Sequence, residues 1–320
     1  MYDITHFPMA KKYWHEGRFC NWSEAHLHPM VHALHYGSSV FEGIRAYPTA
    51  KGPAIFRLKE HIDRFLYSAE VAMMKVPYTR RQITDLIKLT LRENGLDSAY
   101  IRPLLFFAYG NLGLFPKFCP VELLIGTWEW GAYLGEKAAN GVCVYLVPWR
   151  RVNRRQLDMK AKLGGVYVQS TICGMLARSK GCDEAVFLNL EGRIAEGPGE
   201  NIFIYKNGVL KTNDVSESVL EGITRTTLLE LAREAGIKTK VGPIKKDEML
   251  GADEVFFSGT AVEVVAITEV VDGSDPDVNP RKHKIGTGRP GPVTTRLKEL
   301  YMNTVSGKVR KHDNWLTYVR

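Results

Sequence analysis

Apolar residues recur every three or four positions in two stretches of the first third of the chain, which predicts two amphipathic helices. The first covers residues 59–75 and places Phe65 on its apolar face. The second begins at a capping-box pair, Thr79 and Gln82, and ends at Gly95.

An apolar stretch then predicts a strand over residues 99–108. Because side chains alternate between the two faces of a strand, Tyr100 and Arg102 should point to the same side. Pro103 lacks an amide hydrogen, so it indicates an edge strand or an irregular position. A loop rich in Gly, Pro and Phe follows, and then a strand at 122–127.

Strands and helices alternate through the rest of the chain. Asn207-Gly208 predicts a type I′ turn in a hairpin, and the Gly/Pro-rich residues 272–292 predict a loop. The other predicted elements are a helix at 165–180, a strand at 184–190, a hairpin at 202–212, a helix at 225–235, strands at 253–258 and 262–271, and a helix from Val293. The length of 320 residues favours one large or two medium domains, with a connection expected near residues 129–138.

The composition is that of a soluble globular enzyme, with 45% hydrophobic and 24% charged residues. No apolar run is long enough to cross a bilayer, and the first residues lack the apolar core of a secretory signal. Five cysteines are scattered without a CxxC pair. This pattern argues against a disulfide framework and a metal site, and predicts a cytoplasmic protein.

The net charge of +8 raises the question of nucleic-acid binding, because a basic stretch contains Arg150, Arg151, Arg154 and Arg155. No nucleic-acid motif accompanies this stretch. A solvated loop or a face between subunits is the simpler explanation, and a site for anionic substrates and a phosphorylated cofactor would use some of the same charge.

A lysine beside paired glycines precedes the helix predicted at 165–180, in the segment from Lys160 to Tyr167 that contains Lys162, Gly164 and Gly165. A lysine amine forms an imine with an aldehyde when the amine is partly deprotonated. Adjacent glycines would let a flat ring approach the backbone. Taken singly, a surface lysine is the more common explanation.

Acid and anion-binding groups follow at separate places in the sequence. Glu196 could hold a pyridine nitrogen protonated, although a turn acid is the simpler interpretation. Gly222-Ile223-Thr224 stands before a helix, where amides and a hydroxyl can face an anion. Ser258-Gly259-Thr260-Ala261 forms a second candidate anion nest, and Arg64 could add a charge-assisted contact.

The order and spacing of these segments resemble the class IV aminotransferases, and most of all the branched-chain-amino-acid aminotransferases. The similarity covers about residues 30–305. Its most specific segments are HALHYGSSVFEGIRAY (32–47), SAYIRPLLF (98–106), WGAYLG (130–135), KxGG, EGPGENIF (196–203), GITR (222–225) and EVFFSGTAVE (254–263).

This resemblance implies the α/β (α+β) two-domain fold of D-amino-acid-aminotransferase-like enzymes, fold type IV. It implies a smaller N-terminal domain at 1–128, a connection at 129–138, and a larger domain at 139–320 that binds pyridoxal 5′-phosphate. It also implies a homodimer at least and leaves a hexamer open. Neither nucleic acid nor a membrane is an expected partner.

The resemblance implies a role for each matching residue toward the cofactor. Lys162 matches the Schiff-base lysine, with Lys160 as the alternative register. Glu196 matches the partner of the pyridine nitrogen, and Tyr167 the tyrosine near the cofactor's phenolic oxygen. The implied phosphate ligands are Arg64, Ile223, Thr224 and Thr260.

On the substrate side, the implied apolar pocket is lined by Phe41, Gly43, Trp130 and Tyr133. The implied receivers of a side-chain carboxylate are Tyr36, Tyr100 and Arg102. Amides of Thr260 and Ala261 would hold the α-carboxylate of the substrate. An aromatic wall with one arginine at its rim would accept both leucine and glutamate.

The predicted reaction is ping-pong transfer of the amino group of leucine, isoleucine or valine to 2-oxoglutarate. D-amino-acid aminotransferase, (R)-selective amine transaminase and aminodeoxychorismate lyase are alternatives of the same fold. A non-catalytic pyridoxal-phosphate- or nucleic-acid-binding protein is the alternative from another class. The chain departs from the family at Val166, at residues 155–159 and at Trp128-Glu129, which affects the lysine loop and substrate preference.

Overall fold

The computed structural model describes residues 10–131 and 134–319, and within them the chain forms two compact units. The first unit comprises residues 10–131, 161–165 and 303–319, and the second comprises 134–160 and 166–302. Each unit is therefore assembled from separate segments. The domain boundaries expected from the sequence treat each domain as one continuous stretch, and they remain a prediction.

The first unit is built on an antiparallel sheet. Its strands are β1 Lys12–His15, β2 Arg18–Asn21, β3 Ser39–Phe41, β4 Ile44–Tyr47, β5 Ala54–Phe56, β6 Ala99–Phe107, β7 Val121–Trp128 and β18 Leu316–Tyr318. Its helices are α1 His32–Tyr36, α2 Leu58–Val71 and α3 Arg80–Asn94. Among the described residues the sheet order is β18-β5-β4-β6-β7-β1-β2, and β3 pairs with β6 beside β4.

Helices α2 and α3 bury their apolar faces in the core of this unit. Phe65 of α2 and Ile83 of α3 are completely buried in one cluster with Ile101 of β6. The predicted capping box of Thr79 is present, and Gly95 ends α3 with a left-handed backbone (φ 68°). Both predicted helices are thus confirmed, although α2 ends earlier than residue 75.

Pro103 lies at an irregular position, one of the two alternatives that it predicts, and not on an edge strand, because β6 lies in the interior of the sheet between β4 and β7. The side of β6 that faces β3 and β4 is interrupted at Glu42-Gly43, where one strand ends and the next begins. Glu42 N donates to the carbonyl of Pro103 at this interruption. No ladder hydrogen bond is needed from Pro103, so the proline is tolerated in a central strand.

The second unit is built on a mixed sheet. Its strands are β8 Val142–Arg150, β9 Glu184–Leu188, β10 Arg193–Ile194, β11 Asn201–Lys206, β12 Val209–Thr212, β13 Lys238–Val241, β14 Ile244–Lys245, β15 Glu254–Gly259, β16 Glu263–Asp272 and β17 Arg281–Lys284. The remaining helices are α4 Tyr167–Ser179, α5 Ile223–Glu234, α6 Lys246–Leu250 and α7 Pro292–Val305. The described sheet order is β13-β12-β11-β15-β16-β8-β9-β10-β14, with β17 on β16.

The hairpin of β11 and β12 turns at Asn207 and Gly208, which both have positive φ (50° and 78°), as the predicted type I′ turn requires. The expected loop at 272–292 is wrong in part, because β17 lies within it. The sequence of β17, RKHK, is wholly basic and lacks the apolar residues that would predict a strand. The strand forms because it pairs with β16, helped by an ion pair between Lys282 and Glu269.

Two cysteines from neighbouring strand ends lie together in the second unit. Cys143 and Cys182 are 39 positions apart in sequence, and the structure pairs their sulfur atoms as a disulfide. The sequence argued against disulfides because it has no closely spaced pair, whereas parallel pairing of β8 with β9 brings these two residues together. No helix of the described residues is both long enough and apolar enough to cross a lipid bilayer.

Candidate active site

Lys162 lies in the first unit, and its backbone is hydrogen-bonded on both sides. Its N–H donates to Ser68 Oγ on α2 at 2.8 Å, and its carbonyl accepts from Phe41 N at 3.3 Å. Leu163 forms a β-bridge with Val40. The Lys162 ammonium lies 4.9 Å from the centre of the Phe41 ring. The amine of Lys162 is therefore carried by a segment docked on β3 and α2.

Close backbone packing explains the glycines beside this lysine. A Cβ on Gly164 would overlap Ser39 Oγ, and a Cβ on Gly37 would lie 2.8 Å from the Cα of Gly165. Larger residues would push the lysine segment away from β3. Room for a flat ring beside these glycines stays a prediction, and the structure shows in addition that Gly164 allows this segment to dock closely.

Arg64 and a buried carboxylate form a bidentate ion pair beside Lys162. Arg64 Nε and Nη2 donate to the two oxygens of Glu42 at 2.6 and 2.9 Å. His61 Nδ1 lies 2.7 Å from the same carboxylate, and both Glu42 and His61 are almost completely buried. Burial acts to raise the pKa of Glu42, but the charge of Arg64 and the hydrogen bonds from Arg64 and His61 outweigh it and lower that pKa.

Lys162 lies close enough to this cluster to affect the pKa of His61. Burial lowers the pKa of His61, and the cations of Arg64 and Lys162 lower it further against the opposing effect of Glu42. His61 is therefore a neutral ring whose Nδ1–H donates to Glu42. Sequence reasoning missed Glu42 and His61, although Glu42 stands inside the matched segment at 32–47.

The predicted substrate residues of β3 and β6 also meet in the first unit. Arg102 Nη2 donates to the hydroxyl of Tyr100 at 3.2 Å, which confirms that the two side chains share a face. The Arg102 guanidinium lies 4.6 Å from the centre of the Phe41 ring. A Cβ on Gly43 would overlap the Tyr100 hydroxyl, so this position requires glycine. Trp130 packs edge-on against Tyr100 at 4.5 Å.

Two other predicted substrate residues are not placed with this group. Tyr36 ends α1 and is 45% exposed, with its ring 4.6 Å from that of His32. Tyr133 lies outside the described residues.

Glu196 lies in the second unit and is buried among hydrogen-bond donors. Its Oε1 accepts from Arg151 Nε at 3.0 Å, and its Oε2 accepts from Leu220 N at 2.9 Å and from Asn201 Nδ2 at 3.4 Å. Arg151 is only 3% exposed. A solvated surface was the simpler explanation for this basic stretch, and for Arg151 that explanation is wrong because the side chain neutralises a buried acid. Arg154 and Arg155 are exposed.

Asn201 contacts both segments that hold the other predicted cofactor residues of the second unit. It is the strand partner of Ser258, and its Oδ1 occupies the space where a Cβ on Gly222 would lie. Gly222 is the N-cap of α5, so the start of this helix and the end of β15 meet at Asn201. Asn201 lies inside the matched segment EGPGENIF, but its position in the sequence does not indicate this role.

Hydrogen-bond donors suited to a phosphate are present at this place. Ile223 and buried Thr224 form the first turn of α5, whose amides lack intrahelical acceptors. Thr260 and Ala261 follow β15, and the buried hydroxyl of Ser258 has no hydrogen-bond partner among the described residues. An anion with several acceptor oxygens fits this set of donors. Tyr167, predicted near the cofactor ring, is the half-buried first residue of α4.

We expect Glu42→Gln to destabilise the protein in a pH-dependent manner. At pH 7 the variant leaves partly buried Arg64 without its anion, which should lower the free energy of unfolding by about 3–5 kcal/mol. An unfolded glutamate titrates near pH 4.3. Because the pKa of Glu42 is lower in the folded protein, this stabilisation is complete above about pH 5. It is lost progressively as the pH falls from there toward the folded pKa.

Urea denaturation of the wild type and Glu42→Gln between pH 7 and 4 measures this dependence. The difference between the two proteins should narrow toward pH 4, and an equal difference at every pH would contradict the prediction. Glu93→Gln is the control, because Glu93 pairs with Lys12 at the surface and should contribute less than about 1 kcal/mol.

Ser68→Ala should loosen the segment that carries Lys162. The Ser68 hydroxyl accepts from Lys162 N–H and donates to the carbonyl of Arg64 at 2.7 Å, so its loss leaves the Lys162 amide without that acceptor. We expect a loss of about 1–3 kcal/mol in unfolding free energy and faster hydrogen exchange at residues 161–165.

Thr90→Val is the matched control for this change. Thr90 is fully buried on α3, and its hydroxyl donates to the carbonyl of Leu86 at 2.8 Å. Removing that hydroxyl should leave exchange at residues 161–165 unchanged. If Thr90→Val and Ser68→Ala accelerated exchange there equally, the bond to Lys162 would have no specific role.

Comparison with known proteins finds aminotransferases, both for the central part of the chain and for nearly its whole length. The family model of amino-transferase class IV matches residues 39–270. The branched-chain-amino-acid aminotransferase of Pseudomonas aeruginosa is 44% identical over 308 residues, which cover 96% of this chain and 97% of that protein.

Solved structures agree with the sequence match. The T.th. branched-chain amino acid aminotransferase with pyridoxamine 5′-phosphate is 42% identical, with a TM-score of 0.90 over 98% of this chain and all of the other. Its complex with N-(5′-phosphopyridoxyl)-L-glutamate gives 40% identity and a TM-score of 0.90, with the same coverage. These matches confirm the predicted type IV fold, the pyridoxal-phosphate cofactor and branched-chain transamination. At this identity and coverage, the chain belongs to the class IV aminotransferases and, within them, to the branched-chain-amino-acid aminotransferases.

Proposed function

We propose that this enzyme transfers the amino group of L-leucine, L-isoleucine or L-valine to 2-oxoglutarate in two half-reactions, with Lys162 as the residue that binds the cofactor covalently. The observation that carries this assignment is the position of the Lys162 amine. Its backbone is fixed by Ser68 and Phe41, and its charge lies close to the buried Glu42 cluster. Lys160, the alternative, is exposed.

When bound, pyridoxal 5′-phosphate supplies an electron sink for negative charge at the substrate Cα. Lys162 would then hold and return the proton of that carbon, because its amine is released when the amino substrate takes its place. Phe41, whose ring centre lies 4.9 Å from the amine, would supply an apolar surface beside it.

The other proposed cofactor ligands divide into ring and phosphate contacts. Glu196 would keep the pyridine nitrogen protonated, and Tyr167 would contact the phenolic oxygen. Arg64 would bind the phosphate, and its bidentate pair with Glu42 fixes the plane of the guanidinium. The remaining proposed phosphate ligands are Ile223, Thr224 and Thr260, which support the assignment by their place at the start of α5 and the end of β15.

Dual substrate recognition is proposed for the aromatic surface of the first unit. Phe41, Gly43 and Trp130 would line the pocket for an isobutyl group, and Tyr133 stays a prediction. The guanidinium of Arg102 lies on this surface, and its hydrogen bond to the Tyr100 hydroxyl fixes its position. A cation held at the edge of an aromatic wall would receive the second carboxylate of glutamate. The implied contribution of Tyr36, which is 45% exposed at the end of α1, stays a prediction. The glutamate adduct in the T.th. enzyme supports this substrate.

The α-carboxylate of either substrate is proposed to bind the amides of Thr260 and Ala261 at the turn after β15. We also propose a homodimer as the minimal assembly, with a hexamer open, and a cytoplasmic location. Small molecules are the expected partners, and no nucleic acid is expected.

Lys162→Ala should abolish the visible absorption of the covalently bound cofactor and lower turnover by at least about 10³-fold, since general acid–base catalysis is lost with it. Lys160→Ala is the control and should keep both. Absorption spectra and leucine-dependent turnover measure the two effects. Loss of the visible band in Lys160→Ala alone would place the cofactor on the other lysine.

A panel of amino donors tests the substrate class. With 2-oxoglutarate as acceptor, L-leucine should react, whereas D-alanine and (R)-phenylethylamine should react at least about 10²-fold more slowly, since the wrong enantiomer presents its Cα hydrogen away from Lys162. Activity confined to the D-amino acid or the amine would contradict the proposal. Salt-dependent DNA binding without cofactor absorption would support a non-catalytic protein instead.

A further inference from the structure

Arg151 is a buried cation whose main contact is the carboxylate of Glu196. The Nε–Oε1 distance is 3.0 Å, and both side chains are only 3–4% exposed. Removing two charges from water costs free energy that an ion pair recovers only when its geometry and further hydrogen bonds are good. A pair of this kind is therefore a poor device for stability, and a functional reason for it is worth seeking.

The guanidinium of Arg151 is fixed by contacts of its own. Nη1 donates to Ser170 Oγ at 3.2 Å, and this hydroxyl donates in turn to the carbonyl of Pro198 at 2.9 Å. The guanidinium carbon lies 5.1 Å from the centre of the Phe187 ring. Ser170 thus connects Arg151, α4 and the loop that follows Glu196, so the position of the cation is set by the fold.

The surroundings of Glu196 favour its ionised form. Besides Arg151, the carboxylate accepts from the amide of Leu220 and from Asn201 Nδ2, and these groups can only donate. Two other titratable groups lie nearby. Glu200 is a buried acid of the same loop, and Cys173 of α4 faces Arg151. Burial raises the pKa of Cys173 to about 11, so it is a neutral thiol and does not compete for the cation.

We propose that Arg151 is a positioning residue that keeps Glu196 ionised and correctly aimed, and thereby sets the protonation of the cofactor's ring nitrogen. This inference rests on the proposed role of Glu196. A buried carboxylate that loses its cation favours the protonated form, because burial penalises the charge. A neutral Glu196 no longer stabilises a protonated ring, so the electron sink weakens while substrate binding persists.

The test compares four variants of the full-length holoenzyme: Arg151→Gln, Arg151→Lys, Glu196→Gln and Arg193→Gln. Arg193 is the matched control, because it makes a bidentate pair with buried Glu217 in the same unit, three positions from Glu196 in sequence. Three quantities are measured: the pH dependence of the visible spectrum of the bound cofactor, the dissociation constant for pyridoxal 5′-phosphate, and kcat and KM for L-leucine. Thermal melting reports whether each variant is folded.

Arg151→Gln should shift the midpoint of the spectral titration and lower kcat by about 10- to 100-fold, the usual effect of removing a residue that orients a functional group. KM for leucine should change little, because the lost interaction acts on the reacting state. Arg151→Lys keeps the charge and should restore part of kcat and most of the titration midpoint. If Arg151→Gln does not fold, this Lys variant carries the test by a smaller shift in the same direction.

The outcomes separate this inference from the function on which it rests. Unchanged spectra and kcat in Glu196→Gln would refute the role of Glu196 itself. If Glu196→Gln changes both while folded Arg151→Gln and Arg151→Lys change neither, only the inference on Arg151 is overturned. It is likewise overturned if Arg193→Gln reproduces the shift, because the effect would then be a general one of breaking a buried ion pair.

Discussion

Two hydrogen bonds hold the backbone of Lys162, one to the hydroxyl of Ser68 and one from the amide of Phe41, and the rest of the site depends on them. A lysine side chain is long and flexible, so an amine carried on a loose loop would seldom be in position to react. Fixing the Lys162 backbone removes part of that freedom before any substrate binds. The close approach of Gly164 to Ser39 makes this docking possible.

Each unit contains a buried carboxylate that is paired with an arginine. In the first, Glu42 is buried and held by Arg64 and His61, and in the second, Glu196 is buried and held by Arg151. Such pairs contribute little to stability on balance, because desolvation offsets their attraction. These pairs hold a charged side chain in a fixed place and orientation, which an enzyme needs where charge develops during the reaction.

Membership of the branched-chain aminotransferases rests on the similarity along the whole chain, and the aromatic surface of the first unit supports the proposed substrates. The aromatic surface of Phe41 and Tyr100 carries the guanidinium of Arg102, whose Nη2 donates to the Tyr100 hydroxyl. In the proposed function this surface accepts an isobutyl group, and the Arg102 cation receives the second carboxylate. The requirement for glycine at position 43 follows from the same surface, since the Tyr100 hydroxyl occupies the space.

Local sequence determined the elements whose signals are local. The capping box of Thr79, the turn at Asn207-Gly208 and the shared face of Tyr100 and Arg102 depend only on residues within a few positions, and all are present as predicted. Motif order identified the family, and with it the proposed roles of Lys162 and Glu196.

Tertiary structure alone decided the partners of those residues. Ser68 is 94 positions from Lys162, and Arg151 is 45 positions from Glu196, so no spacing in the sequence announces either contact. An arginine in a basic stretch is expected to be solvated, and only the fold shows that Arg151 is buried. Pro103 predicted either an edge strand or an irregular position, and only the sheet order decided between the two. The sequence by itself therefore determined the chemistry, while the fold decided which donors fix each charged group, because burial and long-range hydrogen bonds exist only after the chain has packed.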